Sequence, residues 1–151
     1  MKTMNSTLDN NTAKHSLHHL VDEIIRDFSS ERLIGECQIA NNVSPDLFIC
    51  TKDEAVLSSV ISGLLHAFLS NAADGQIEVS ARELFGNTMK VCVRDNNCYN
   101  TYAVACALQR IVPMAESIGG FLNIVNQRQK ITTIEFSFPF EREIQLSTDD
   151  V

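Results

Sequence analysis

The sequence has no run of apolar residues near the length of about 18 that a membrane-spanning helix requires. Residues 1–14 are polar and rich in Asn and Thr, and they lack the apolar core of a secretory signal peptide. We therefore expect a cytoplasmic protein with no membrane partner.

Basic residues are scarce. The chain carries 12 Lys and Arg against 19 Asp and Glu, which gives a formal net charge of −7. Binding to nucleic-acid phosphates requires clustered cations, so this balance argues against nucleic acid as the main partner.

Cysteines at metal-ligand spacing are also missing. The chain has five cysteines, an odd number, and no Cys-x-x-Cys pair, which argues against a disulfide framework and a zinc knuckle. Cys50, Cys92 and Cys106 lie in apolar runs and are predicted to be buried, whereas Cys98 lies in a polar loop. We predict no metal site from these residues.

The length of 151 residues and the hydrophobic content of 44% indicate one globular domain with a core of its own. The polar residues 1–14 are expected to be disordered, and residues 141–151 form an acidic tail. The folded domain is therefore predicted to span residues 15–140.

Three segments have the apolar spacing of helices. The first begins after Ser16, a good N-cap, and runs to Phe28. The second follows Thr51-Lys52-Asp53-Glu54, which has the pattern of a capping box, and carries two adjacent apolar rows. The third covers residues 101–118, with a kink or break expected at Pro113.

Extended segments arrive in pairs between these helices. Residues 36–40 and 47–50 form the first pair, residues 77–81 and 89–93 the second, and residues 121–126 and 131–140 the third. Paired strands indicate antiparallel ladders, with the helices covering one face of a single sheet. The predicted fold class is α/β (α+β), a two-layer sandwich with a mixed, mostly antiparallel sheet and three helices on one face.

Several stretches in this order resemble the ATP-binding catalytic domain of bacterial sensor histidine kinases, the Bergerat or GHKL fold. Residues 60–68 (VISGLLHAF) lie where the family has its N-box, "VLxNLLxNA". Residues 91–97 (VCVRDNN) are similar to "VxVxDNG". Residues 118–122 (IGGFL) and 132–139 (TTIEFSFP) resemble the closing "GGxL…GTxFxFxLP". The resemblance covers about residues 17–140 and implies the Bergerat ATPase fold.

The chain departs from the family where ATP phosphates and Mg²⁺ are held. Two N-box Asn residues four apart help to hold Mg²⁺ in active members, and Gly63 and Ala67 occupy those positions here. Asn71, four residues further along the same face, is a candidate replacement, or alternatively belongs to the end of the helix.

The family's flexible lid and its glycine-containing phosphate turn also have no counterpart. Asn97 replaces the Gly of "DNG", and only Cys98-Tyr99-Asn100 precede the third helix. Residues 102–105 (YAVA) match the "GLGL" turn without a glycine, so a Cβ would block close approach to a phosphate. The resemblance therefore predicts a degenerate site.

The part of the family's site that binds the adenine base is retained in sequence. Asp95 matches the Asp that accepts a hydrogen bond from the adenine amino group, and Asn96 follows it as in the family. Thr132 or Thr133 matches a Thr that assists through water. The alternative is that Asp95 only initiates a turn, which Asp-Asn-Asn sequences do in many folds.

Three histidines, His15, His18 and His19, cluster at the start of the first helix. Their spacing of three and four residues allows chelation of a metal from one helical face, or a phospho-acceptor role. The alternative is a polar, exposed first turn.

Three functional hypotheses follow. The first is a protein-binding module of two-component signalling without ATP turnover or cofactor, whose partner is a histidine kinase or a response regulator. The second is an ATP-binding kinase or ATPase domain, with Mg²⁺, that uses Asn71 and Asp95 in an altered site. The third is a phosphotransfer protein that uses one of the three histidines.

Overall fold

A computed structural model describes residues 14–31, 35–72, 74–126 and 130–140. The order of elements is β1 (Lys14–Ser16), α1 (Leu17–Ser30), β2 (Gln38–Asn41), β3 (Phe48–Cys50), a 3₁₀ turn (Thr51–Asp53), α2 (Glu54–Leu69), β4 (Gln76–Leu84), β5 (Thr88–Asp95), α3 (Thr101–Leu108), α4 (Val112–Glu116), β6 (Phe121–Asn126) and β7 (Thr132–Pro139). Most of the predicted segments 1–14 and 141–151 lies outside the described residues.

A five-stranded sheet in the order β2-β4-β5-β7-β6 forms one layer. Strand β2 runs parallel to β4, and the other pairings are antiparallel. The helices pack on one face, where the alternating apolar residues of β4, β5 and β7 lie buried in one continuous core. The predicted two-layer sandwich and the second and third strand pairs are confirmed.

The opposite face of the sheet carries charges that pair across strands. The Arg94 guanidinium lies 3.2 Å from the Glu78 carboxylate, and the Lys90 ammonium lies 3.5 Å from Glu135. This alternation of buried and charged residues fixes which face of the sheet receives the helices.

The first pair of extended segments does not form a ladder of its own, so that part of the prediction is wrong. Strand β2 pairs with β4 instead, and β3 pairs with β1 in a separate two-stranded sheet. The physical reason is the crossover through α2, which returns the chain alongside β2 in the parallel direction.

Helix α1 starts as predicted, since the Ser16 hydroxyl accepts a hydrogen bond from the amide N of His19 at 3.3 Å. The prediction of a capping box at the start of α2 is wrong. Residues 51–53 form a 3₁₀ turn, and the N-cap is Asp53, which makes no side-chain cap bond. Glu54 becomes the first helical residue, and its carboxylate contacts His15 instead.

The third helical segment divides into α3 and α4. Pro113 lies in the first turn of α4, where its missing N–H would have no helical acceptor. The chain then turns at Gly119, whose φ of +77° favours glycine. Gly120 lies so close to β7 that a Cβ there would be 2.6 Å from the Ser137 carbonyl oxygen, so packing requires glycine at this position.

The prediction that Cys106 is buried is wrong, because Cys106 is exposed on α3. Cys98 lies in the loop after β5, as predicted, and its side chain is buried there. Cys50 is half-buried. Cys92 is half-buried, and burial, followed by the nearby Glu135 carboxylate, raises the pKa of its thiol. Cys92 therefore stays a thiol at neutral pH.

Asn41 ties β2 to helix α1. Its amide nitrogen donates to the His18 carbonyl oxygen (2.9 Å) and to the Asp22 carboxylate (2.8 Å), and its amide oxygen accepts from the Val43 N–H (3.1 Å). We expect Asn41→Ala to lower the free energy of unfolding by about 1–3 kcal/mol, because these groups lose a partner.

Urea denaturation measures this loss. The neighbouring Asn42 is exposed, and Asn42→Ala serves as the matched control with a change within about 0.5 kcal/mol. Equal effects of the two substitutions would contradict the assignment of this bridge to Asn41.

Candidate functional site

Asp95 is the last residue of the central strand β5, and its side chain is completely buried. One carboxylate oxygen, Oδ1, accepts hydrogen bonds from the amide N of Gln76 and of Asn97, both at 2.9 Å. The other, Oδ2, is buried without a hydrogen-bond partner among the described residues. Oδ2 is therefore an unsatisfied buried acceptor, a state that is uncommon in folded proteins.

Gly75 lies directly against this carboxylate, since a Cβ at that position would be 3.2 Å from Oδ2. Its N–H donates to the Cys37 sulfur at 3.1 Å, which anchors the loop ahead of β4. Asn97 also fixes that loop, because its amide nitrogen donates to both the carbonyl oxygen and the carboxylate of Asp74 at 2.9 Å. The loop beside the Asp95 carboxylate is therefore held by hydrogen bonds to both Cys37 and Asn97.

The two candidate threonines lie on opposite faces of β7. Thr132 pairs with Asp95 in the ladder, is completely buried, and has its hydroxyl 2.8 Å from that of Thr101. Thr133 is half-buried and pairs with Arg94. The structure therefore brings Thr132, and not Thr133, to the face of Asp95.

Asn96 and Asn71 are engaged with other groups. The Asn96 amide nitrogen donates to the Glu78 carboxylate at 3.2 Å, on the charged side of the sheet. The Asn71 amide nitrogen donates to the Ala67 carbonyl oxygen at 2.7 Å, just past the end of α2. In this conformation Asn71 caps a helix carbonyl, and its amide oxygen is the atom that remains for a ligand.

The position of the family's first N-box Asn is covered by an aliphatic side chain. A Cβ on Gly63 would lie 2.9 Å from Cδ1 and 3.1 Å from Cγ1 of Ile111, which is buried at the start of α4. Ala67, one turn further along α2, is buried as well. The buried side chains of α3 and α4 join α2 in the same apolar cluster (Val104, Leu108, Ile111 and Ala115).

A short connection, residues 96–100, joins β5 to α3. The Cys98 N–H donates to the Lys130 carbonyl oxygen at 2.7 Å, and the Asn100 side chain caps α3 by accepting from the Ala103 N–H at 3.0 Å. The Lys130 ammonium donates to the Tyr99 hydroxyl at 2.9 Å and lies 4.5 Å from the centre of the Tyr99 ring. These contacts fasten the connection to Lys130, just before the start of β7.

The three N-terminal histidines each face a carboxylate. His15 Nδ1 lies 2.7 Å from Glu54, His18 Nε2 lies 3.4 Å from Asp22, and His19 Nε2 lies 3.1 Å from Glu23. His18 also donates from Nδ1 to the Val43 carbonyl oxygen at 2.7 Å. No group of three or more His, Cys, Asp or Glu residues within the described ranges is placed to hold a metal ion.

Several residues of the site could not be inferred from their own sequence context. Thr101, Ile111 and Asn97 contribute a hydroxyl partner, an aliphatic cover and a loop anchor. The one available signal was the apolar character of the segment before Pro113, which indicates burial without indicating what is covered.

Comparison with known proteins places this geometry in a known fold. The catalytic domain of histidine kinase ThkA matches at 14% identity and a TM-score of 0.64, covering 85% of this chain and 95% of that one. Acinetobacter baumannii histidine kinase AdeS matches at 9% identity and a TM-score of 0.67, covering 85% and 67%. The chain has the histidine kinase-like ATPase fold.

Full-length ShkA, solved in complex with AMPPNP, matches at 16% identity and a TM-score of 0.67. This chain covers 31% of ShkA, and 85% of this chain is matched. No protein-family model and no curated protein matches the sequence. The chain thus shares the fold of these kinases at 9–16% sequence identity.

Within the described residues, no helix is long and apolar enough to cross a membrane. The longest helix, α2, has 16 residues, and its apolar side chains enter the core of the domain.

Proposed function

We propose that the chain is a cytoplasmic protein-binding module of two-component signalling that has the histidine kinase-like ATPase fold and does not turn over ATP. The observation that carries the proposal is the contact between Ile111 and the Gly63 position on α2. Aliphatic packing stands there in place of the oxygen ligands that a hard cation such as Mg²⁺ needs.

The connection after Asp95 supports the same conclusion. Residues 96–109 contain no Lys, Arg or Gly, so this stretch provides neither charge to offset a triphosphate nor a glycine turn to cradle it. Helix α3 begins at Thr101, and the hydroxyl of that residue is already bonded to Thr132. The AMPPNP in the ShkA complex is bound by ShkA and is not evidence for a nucleotide site in this chain.

Exposed aromatic rings support the protein-binding part of the proposal. Tyr102 is 79% exposed and Tyr99 is 62% exposed, both on the surface that includes the start of α3. A hydrogen bond with the Cys106 side chain raises the pKa of Tyr102, so the ring presents a neutral hydroxyl. Tyrosine is enriched among the residues that dominate binding energies at protein interfaces.

The proposed partner is a histidine kinase or a response regulator. Purified histidine kinase dimerisation domains and receiver domains from the same organism can be titrated against the chain by calorimetry in nucleotide-free buffer. We expect binding to one of them that is weakened about tenfold or more by Tyr102→Ala. The exposed Gln109, near the end of α3, provides the control Gln109→Ala. Binding that appears only with Mg-ATP, or no binding to either domain, would contradict the proposal.

A second candidate function is an altered ATP-binding site that retains contacts to the base. The buried, unpartnered Oδ2 of Asp95 favours it, because an amino group on a planar heterocycle is the donor that this oxygen lacks. Thr132 is the threonine on the same face, Thr133 and Asn96 are its neighbours and those of Asp95 along the chain, and Asn71 is the candidate amide at the end of α2. Binding of adenosine that matches the binding of ATP would support base contacts without phosphate contacts.

A further inference from the structure

The three histidines at the start of α1 differ in how their ring nitrogens are used. His18 has partners on both nitrogens, Val43 and Asp22. His19 uses Nε2 to contact Glu23, leaving Nδ1 as the second nitrogen. His15 uses Nδ1 to contact Glu54, and its Nε2 has no hydrogen bond to a described residue.

The contact between His15 and Glu54 joins two separate elements. His15 lies in β1, opposite Ile49 in the ladder with β3, and Glu54 is the first residue of α2. The two atoms, Nδ1 and Oε1, are 2.7 Å apart, a short distance typical of a charge-assisted hydrogen bond. Both groups are thus held by the fold and not by a flexible segment.

A carboxylate on Nδ1 fixes the tautomer of a neutral imidazole. The proton stays on Nδ1, toward the carboxylate, and the lone pair is on Nε2, which makes that nitrogen a nucleophile oriented by a third group. Glu54 is the less exposed partner, at 28% against 48% for His15. The carboxylate is therefore positioned while the ring remains accessible.

A cavity of about 320 Å³ adjoins this pair and is lined by His15, Ser16, His19, Leu20, Glu23 and Glu54. Metal binding does not account for it, since the described residues form no group able to hold a metal ion. Phosphoryl transfer depends on positioning and on electrostatic stabilisation of the phosphoryl oxygens. His15 and Glu54 provide the positioning, and Mg²⁺ bound by the donor must provide the positive charge, because no Lys or Arg of the described residues lines the cavity.

We propose that His15 is a phosphoryl acceptor positioned by Glu54, with an acyl phosphate as the donor. The Nε2 lone pair attacks phosphorus, an N–P bond forms, and the P–O bond to the acyl group breaks so that a carboxylate departs with the electron pair. The imidazole is left with its proton on Nδ1, shared with Glu54. This inference goes beyond partner binding and needs no nucleotide site.

Incubation of the full chain with acetyl phosphate and Mg²⁺ tests the assignment. If side-chain exposure alone determined the site of phosphorylation, His19, which is 64% exposed, would be modified in preference to His15, which is 48% exposed. We expect acid-labile phosphate on Nε2 of His15, located by mass spectrometry and ³¹P NMR. It should disappear in His15→Ala and persist in His19→Ala. Modification of His19 instead, or of no histidine, would overturn the proposal.

Glu54→Gln tests the positioning role. We expect phosphorylation to slow by at least about tenfold, as for loss of a group that assists proton placement, while the control Glu116→Gln, at an exposed residue of α4 outside the cavity, retains the rate. The ¹⁵N NMR spectrum of His15 should show the Nδ1–H tautomer in the unchanged chain and lose this preference in Glu54→Gln. Thermal melting identifies any loss of folding, and Glu54→Asp, which keeps the carboxylate, should recover part of the rate. An unchanged rate in a folded Glu54→Gln chain would refute the role of Glu54.

Discussion

Restoring the N-box with Gly63→Asn and Ala67→Asn should destabilise the protein by about 2–5 kcal/mol and should not create ATP binding. An Asn side chain at position 63 collides with Ile111, whose Cδ1 lies 2.9 Å from the position of the new Cβ. An Asn at position 67 places an amide in the apolar core without a partner. Denaturant unfolding measures the loss, and Mg-ATP titration of the folded variant measures binding.

A control substitution at an exposed position and a double mutant with Ile111→Ala test this prediction further. Ala55 is exposed on α2, so Ala55→Asn introduces the same amide with a cost of only about 0.5 kcal/mol. Because the clash is with Ile111, the combination of Gly63→Asn with Ile111→Ala should cost less than the sum of the two changes, by about 1–2 kcal/mol. A restored N-box that folds with unchanged stability and binds Mg-ATP would contradict the account of this site.

Two substitutions of Asp95 should have opposite effects. Asp95→Ala removes the acceptor for the amides of Gln76 and Asn97, and the unpaired buried N–H groups should cost about 2–5 kcal/mol. Asp95→Asn keeps the oxygen that accepts both bonds and removes a buried charge with an unpartnered oxygen. We therefore expect Asp95→Asn to be neutral or stabilising, by up to about 1 kcal/mol.

The same pair of variants separates architecture from ligand binding. Asn presents an N–H donor where Asp95 presents Oδ2, so any ligand that donates an amino group to this oxygen should lose binding in Asp95→Asn although the fold is retained. Calorimetry with adenosine provides this readout. Equal destabilisation by the two substitutions would show that the two amide bonds are not the main role of the Asp95 side chain.

Elements with strong local patterns were predictable from the sequence. The apolar stripe of α1 and the two hairpins, β4–β5 and β6–β7, have periodicities that fix their type and their buried face. The partner of β2 was not predictable, because pairing depends on where the chain returns after α2. The Thr51–Glu54 pattern failed for a local reason, since a 3₁₀ turn shifts the helix start to Glu54.

The residues of the candidate site likewise fall into those that were predictable from the sequence and those that were not. Asp95 could be selected from its motif, and the closing motif limited the threonine to Thr132 or Thr133, between which the pairing of Thr132 with Asp95 decides. The residues that complete the site could not, because their contacts join distant positions. Thr101 meets Thr132 across 31 residues, and Ile111 covers Gly63 from another helix. The resemblance predicted Gly63 and Ala67 at the N-box Asn positions, and in the structure the Ile111 side chain lies against Gly63.

Calorimetric titration of the unchanged chain with Mg-ATP, with adenosine as the reference ligand, tests the central claim most directly. The account predicts no affinity gained from the phosphates, so ATP should bind no more tightly than adenosine and should not raise the melting temperature beyond the effect of adenosine. A ligand at 100 times its dissociation constant stabilises a fold by about 2.7 kcal/mol, which such a melt detects readily. Tighter, Mg²⁺-dependent binding of ATP would contradict the claim that Ile111 and the short connection to α3 occupy the place of the phosphates.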